Sequence, residues 1–247
     1  MHILSNCILA LLLLVANTAY GGTFYRYSTS TSPTMLDDGV NLTMAGNIAV
    51  SPHTDVLFVG VHWGESLGLD FNITCTYAGV DMTEIANEGF GPFLNVFVIY
   101  KPDKGTKRLE CIWESASGFG VAARLSVIGF TGTVSNGTVA TNNGSSTTPS
   151  VSATLSSGAA GIGFYTVDLA AGASTATVGS GETSRVNASQ GSGTNATRAL
   201  VSTQDMGGDG VINWSLSASR TWYGVAFGIN ADGGDASIIS NGMMKGP

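Results

Sequence analysis

Hydrophobic residues fall into two kinds of short run along this chain. In the first kind they follow one another almost unbroken, as in Val56-Leu57-Phe58-Val59-Gly60-Val61-His62-Trp63 and Leu94-Asn95-Val96-Phe97-Val98-Ile99-Tyr100. Runs of this length predict strands covered on both faces. In the second kind polar and apolar positions alternate. Asn72 to Tyr77 reads this way, and so does Arg108 to Glu114, where Leu109, Cys111 and Trp113 share one face and Glu110, Ile112 and Glu114 the other. A period of two predicts a strand with one dry and one wet face. Asp37-Asp38-Gly39, Ala78-Gly79 and Lys101-Pro102-Asp103-Lys104-Gly105 carry the residues that turns select.

The same grammar fills the rest of the chain. Thr23 to Tyr27, Val80 to Ile85 and Val121 to Phe130 are expected strands, and after residue 150 so are Val151 to Leu155, Gly161 to Leu169, Ala176 to Val178, Ser184 to Asn187, Arg198 to Thr203, Val211 to Leu216 and Thr221 to Ile229. Turn-rich segments separate them at short intervals, the spacing of an all-β sandwich, and no segment sustains a helical period. From Thr131 to Ser150 the chain is nearly all Thr, Ser, Gly and Asn, which predicts a long loop or a linker.

Composition narrows the function classes. Of the 247 residues 43% are hydrophobic, enough to fill a core, but only 11% are charged, so the surface must be polar and mostly neutral. Ten Lys and Arg stand against 17 Asp and Glu, a net charge of −7 that argues against nucleic acid and against an anionic membrane as partners. Ile8 to Ala16 has the length of a signal-peptide core, and Ala19-Tyr20-Gly21 offers small residues where a signal peptidase reads. Residues 1–21 are therefore expected to be a cleaved signal peptide, with a retained anchor or an ordinary buried segment as alternatives. Cleavage would remove Cys7 and leave Cys75 and Cys111, an even pair suited to an oxidising compartment.

Eight phrases in order carry a family resemblance: Leu57 to Val61, CTYAGVDMT at Cys75 to Thr83, VFVIYKP at Val96 to Pro102, LECIWES at Leu109 to Ser115, RLSVIGFTG at Arg124 to Gly132, TPSVSAT at Thr148 to Thr154, VGSGETSR at Val178 to Arg185 and NWSLSASRTWYGVAFGI at Asn213 to Ile229. With them the chain resembles a jelly-roll-like β-sandwich domain found in tailed-phage structural proteins and secreted bacterial surface proteins. Cysteines at 75 and 111, where that family commonly has Val or Thr, and the signal-like start are departures from it. The resemblance runs from Asp55 to Asn230 across the polar stretch, which favours one sandwich domain over residues 22–231 followed by a flexible Gly-rich tail at 232–247. It implies a non-enzymatic surface or particle component and supplies no ligand residues.

Candidate chemistry is sparse. Cys75 and Cys111 both lie on dry strand faces and are a disulfide candidate if their strands are neighbours or oppose each other across the sandwich. His53 and His62 sit near opposite ends of one expected strand, about 30 Å apart, too far to share a metal. No G-x-S-x-G is present; Gly172-Ala173-Ser174-Thr175-Ala176 only approximates it. Glu110 and Glu114 share a face, but about 13 Å separates them, beyond the geometry of a glycosidase pair. Asp205 to Gly210 and Asp232 to Asp235 are rich in Asp and Gly without the spacing of a calcium loop. Sequons, candidates for glycosylation if the source is eukaryotic, stand at Asn41, Asn72, Asn136, Asn143, Asn187 and Asn195; a further one, Asn213, falls inside an expected strand. Among Trp63, Trp113, Trp214 and Trp222, Trp63 at a strand end is the one expected to be open to a ligand such as a sugar.

The sequence thus predicts an all-β, antiparallel, jelly-roll-like β-sandwich that needs no cofactor or metal. Its expected role is non-catalytic, structural or adhesive, in the extracellular space, on a cell surface or on a virion. The expected partners are other protein subunits, copies of itself included, or surface glycans, with no membrane insertion after signal cleavage. A carbohydrate-binding, lectin-like module is the alternative, and a glycan-active hydrolase a more distant one.

Overall fold

The computed structural model describes residues 24–27, 35–37, 39–65, 71–89, 92–114, 116, 121–156, 158–205 and 208–231. The expected signal peptide and the Gly-rich tail lie outside the described residues. The first half of the chain forms β1 (Phe24–Tyr27), β2 (Met35–Asp37), β3 (Leu42–Val50), β4 (Val56–Glu65), β5 (Ile73–Tyr77), β6 (Val80–Asp81), β7 (Thr83–Gly89), β8 (Phe93–Tyr100), β9 (Gly105–Trp113) and β10 (Val121–Phe130). The second half forms β11 (Thr133–Asn136), β12 (Ala140–Ser146), β13 (Ser150–Ser152), β14 (Ala160–Asp168), β15 (Ala176–Val178), β16 (Glu182–Gln190), β17 (Thr197–Gln204), β18 (Val211–Leu216) and β19 (Arg220–Ala231), with a 3-10 turn at Gly193–Asn195.

Among the described residues every pairing is antiparallel, as the sequence leads one to expect, but the strands make four sheets where a two-sheet sandwich was expected. The first outer sheet runs β2-β3-β9-β5-β6 and the first inner sheet β1-β10-β4-β8-β7. The second inner sheet runs β11-β19-β14-β17-β16, with β12 also paired to β19, and the second outer sheet β13-β18-β15. Three cores join them in one stack. Met44, Cys111 and Trp113 of the first outer sheet meet Val59, Trp63 and Phe97 of the first inner sheet. Phe58, Val96 and Ile128 on its other face meet Phe164, Val201 and Phe227. Tyr165, Leu200 and Trp222 then meet Ile212 and Trp214 of the second outer sheet.

This layering explains the unbroken apolar runs. In β4, Leu57, Val59 and Val61 fill the outer core while Val56 and Phe58 fill the central one, so both parities of the strand must be hydrophobic. The outer strands keep one wet face and alternate: β5 reads buried, exposed, buried, intermediate, buried. Its hairpin to β6 turns at Ala78 and Gly79, both with positive φ (53° and 78°), as a tight two-residue turn between twisted strands requires.

Strand order repeats between the halves. β1-β10-β4-β8-β7 is matched by β12-β19-β14-β17-β16, and β3-β9-β5 by β13-β18-β15. Even the irregularities correspond: β7 has a register shift against β8 between Glu84 and Ala86, and β16 has one against β17 between Ser184 and Val186. Two sandwiches of one topology therefore pack inner sheet on inner sheet. The polar stretch read as a loop or linker supplies β11 and β12, which lie along the edge of β19. Edge strands pair through backbone, so a side-chain pattern with few apolar residues conceals them.

Candidate functional site

Where the inner sheets meet, one polar group stands among the aromatics. His62 of β4 is fully buried, and its Nδ1 lies 3.0 Å from the Tyr165 carbonyl and 3.1 Å from Thr166 Oγ1. A carbonyl only accepts, so Nδ1 carries the proton and donates to it. Burial pushes the imidazole down to about 3, with Arg124 adding to the effect and the Tyr165 hydrogen bond opposing it. The ring is thus neutral through the physiological range, and Nε2 has no partner. The Ser126 hydroxyl, buried on the strand opposite Gly60, has none either.

A neutral imidazole and a serine hydroxyl on neighbouring strands are the ingredients of a base and a nucleophile, but both side chains are buried, at 0% and 2% exposure. A Cβ built on Gly60 would come within 2.5 Å of Phe164 Cδ1 and 2.9 Å of His62 Nε2. The Phe164 ring occupies the place a side chain at 60 would take, and only glycine lets β4 and β14 come this close. The arrangement locks the two sandwiches in register.

The second polar cluster lies between the second inner and outer sheets. Glu182, at the start of β16, accepts from the Ser202 hydroxyl at 2.6 Å and from the Asn213 backbone N–H at 2.7 Å. Desolvation raises its carboxyl above the usual range, and Asp209 adds to that while the two hydrogen bonds oppose it. Both oxygens are engaged, so Glu182 acts as one rung between sheets. Tyr165 makes another: its buried hydroxyl donates to the Ile212 carbonyl and accepts from Val151 N–H, and burial raises its pKa. Neither residue stood out in the sequence. Glu182 lies within the VGSGETSR phrase, but the strand its carboxylate reaches, β18, is distant in sequence.

Cys75 and Cys111 are directly opposite on β5 and β9 and form a disulfide, so the neighbouring-strand alternative holds. Trp63 is the clearest correction among the site residues. It is fully buried, stacked on Phe93 with ring centroids 4.1 Å apart, and donates from Nε1 to Asn95 Oδ1 at 2.9 Å. Asn95 in turn donates to Glu84 at 2.8 Å. β4 continues past Gly64 to Glu65, so the position that looked like a strand end is interior. The other tryptophans are buried as well, Trp222 being 4% exposed, and no indole face is open to a sugar.

The sequons are dispersed. Asn143, on edge strand β12, is exposed, and so are Asn72, whose Nδ2 donates to Glu114, and Asn187, whose Nδ2 donates to the Ala176 carbonyl. Asn41 is half-buried, Asn136 is bonded to the Tyr100 hydroxyl, and Asn195 closes the 3-10 turn against Gly64. Asn213 lies inside β18. His53 is exposed in the turn before β4, far from buried His62. The loop at Asp232 lies outside the described residues. Asp209 is held by Gln204 Nε2 at 2.8 Å and by the Val211 N–H. Among the described residues no group of three or more His, Cys, Asp or Glu side chains is placed to hold a metal ion.

Comparison with protein families finds no match, and none is found among curated proteins. A solved structure described as an anti-sigma factor domain-containing protein is similar over 85% of this chain and 82% of its own, at 8% identity and a TM-score of 0.24. A likeness at that level implies nothing about fold or activity here.

Proposed function

We propose that the chain is a non-catalytic structural or adhesive module of the extracellular space, a cell surface or a virion, built from two jelly-roll-like sandwiches in tandem and working in an assembly. One observation carries the reading: apart from Arg108, Glu110 and Ile112 on β9, the outer sheets turn mostly short neutral side chains to solvent, while the polar groups inside the stack hold sheet to sheet. Outward positions include Thr43, Asn47, Thr74 and Thr76 on the first outer sheet and Ser152, Thr177 and Ser215 on the second. Such faces repel neighbours little and offer many neutral hydrogen bonds. Within the stack, the His62 ring is closed in by Phe164 and the Glu182 carboxylate is fully engaged, which leaves neither open to a substrate.

The test is localisation of the native protein. Antibody raised against the folded chain should label the outside of source cells or of particles they release, with many copies per particle by quantitative mass spectrometry. Confinement to the cell interior, or turnover of a glycan by the purified protein, would overturn the proposal. Specific binding on a glycan array would move the function to carbohydrate recognition, through a surface other than the tryptophans.

A further inference from the structure

Because the two sandwiches share a topology, the connection from β8 to β9 in the first corresponds to that from β17 to β18 in the second. Both lie at the same end of the stack: Gly60 faces Phe164 and Gly64 faces Thr197, the partner of Asp168, so β4 and β14 run the same way. At their starts Tyr100 pairs with Val56 and Gln204 with Gly161. Their charges are opposite. Residues 101–108 hold Lys101, Lys104, Lys107 and Arg108 against the single carboxylate of Asp103, so four of the chain's ten cations stand within eight residues. The corresponding connection places Asp205 and Asp209 at the surface. Local counter-charges leave both signs standing: Asp103 lies 3.9 Å from Lys107, Glu110 takes Arg108 Nε at 2.6 Å, and half-buried Arg185 faces Asp205.

Apolar surface accompanies the basic turn. Val80 and Tyr100 are 56% and 41% exposed, two of the three exposed large hydrophobic side chains among the described residues. Tyr100 immediately precedes the turn. Val80 is brought to it by the β5–β6 hairpin, since Tyr77 Oη donates to the Asp103 carbonyl and Ala78 N–H to that of Arg108, both at 2.8 Å. Exposed ion pairs alone hold partners weakly, whereas an aromatic ring beside a charged rim is the usual make-up of a docking face.

We propose that this end of the molecule is a self-complementary docking face whose partner is a second copy of the chain, related to the first by a two-fold axis. The centres of the two sandwiches lie about 20 Å apart, given sheets stacked about 10 Å from one another. An axis over the seam between the inner sheets sets each basic turn on the partner's Asp205 and Asp209, so the charge match occurs twice. Closed two-fold pairs of this kind are the commonest oligomers. The inference rests on the reading of the chain as an assembly module and names one contact of that assembly.

Sedimentation of the full chain is the test, at roughly 0.01 M salt, where screening extends to about 30 Å, and at roughly 1 M, where it falls to about 3 Å. The expected result is a concentration-dependent dimer at low salt, weakened at least about tenfold at high salt. Lys101→Glu/Lys104→Glu gives two acidic lobes, and Asp205→Lys/Asp209→Asn two basic ones. Each variant alone should be monomeric, with unchanged circular dichroism, and an equimolar mixture should dimerise. Asn at 209 keeps the acceptor for Gln204 and Val211, which guards the fold. A wild-type monomer at low salt, undiminished pairing by either variant, or a mixture that stays monomeric would overturn the docking face. A monomeric wild type that still appears in many copies on a cell or particle surface would sink the pairing and leave the structural role intact.

Discussion

At the scale of single residues, His62 shows how a polar side chain can serve a hydrophobic seam. Its ring fills space between Phe164 and Thr166 and satisfies one carbonyl, but it does so only while neutral. Unfolded, the imidazole titrates near its ordinary 6.5; folded, burial holds it to about 3. Stability from this residue is therefore complete above pH 6.5 and is lost progressively as the pH falls towards 3, because the unfolded chain takes up a proton that the folded one refuses. The full loss is on the order of 5 kcal/mol. Urea midpoints measured from pH 7.5 to 3.5 for wild type and His62→Gln should diverge below pH 6.5, with the wild type falling more steeply. Parallel curves would mean that the ring is not neutral in the fold. None of this was legible beforehand. The sequence places His62 on an apolar strand, yet a histidine in such a run looks the same whether it faces solvent at a strand end or another sheet. Trp63 misled for the same reason, since Gly64-Glu65-Ser66 resembles a terminus and only the pairing of Glu65 with Val121 shows that the strand continues.

Elements were far easier to read, because strand period is a local property. β15 and β18 coincide with the segments expected, Ala176 to Val178 and Val211 to Leu216, and β14, β17 and β19 differ from theirs by a residue or two. β11 and β12 escaped: Thr, Asn, Gly and Ser along an edge gain little from burial, and their order comes from β19 rather than from themselves. Pairing between elements was legible only as alternatives, and the β5–β9 contact is the instructive case. Once those strands are neighbours in the register that sets Ile73 against Trp113, Cys75 must oppose Cys111. The bond closes a loop of 36 residues, worth about 3–4 kcal/mol in the chain-entropy account. Both sulfurs belong to buried residues, at 2% and 0% exposure, so the first core encloses the bond. Cys75→Ala/Cys111→Ala should lower unfolding free energy by roughly that amount in guanidinium titrations while the far-ultraviolet spectrum stays that of antiparallel sheet. A midpoint identical to wild type would show that β5 and β9 need no covalent tie.

For the whole molecule, the unbroken runs in β4 and β8 said that both faces were covered but not by what. One cover is sequence-near, the outer sheet of the same sandwich. The other is a second sandwich whose own run, Ala160 to Asp168, poses the same question from the opposite side. Each inner sheet answers the other, and that mutual dependence has an energetic consequence. The central core gathers Val56, Phe58, Leu94, Val96, Val98 and Phe130 from the first half against Ile162, Phe164, Val201 and Phe227 from the second. At roughly 1.5–3 kcal/mol for each large side chain buried, separation would strip each half of an amount comparable to the 5–15 kcal/mol by which a domain is stable. The repeats should therefore unfold as one unit despite their separate topologies. Calorimetry of the intact chain is expected to give a single transition with equal calorimetric and van't Hoff enthalpies. A fragment ending at residue 131 should bind a hydrophobic dye strongly, aggregate, and regain solubility when refolded together with the complementary fragment. A first-half fragment that stays soluble, monomeric and cooperatively folded would show instead that the inner faces can meet water, and that the seam at His62 is a contact between two independent sandwiches.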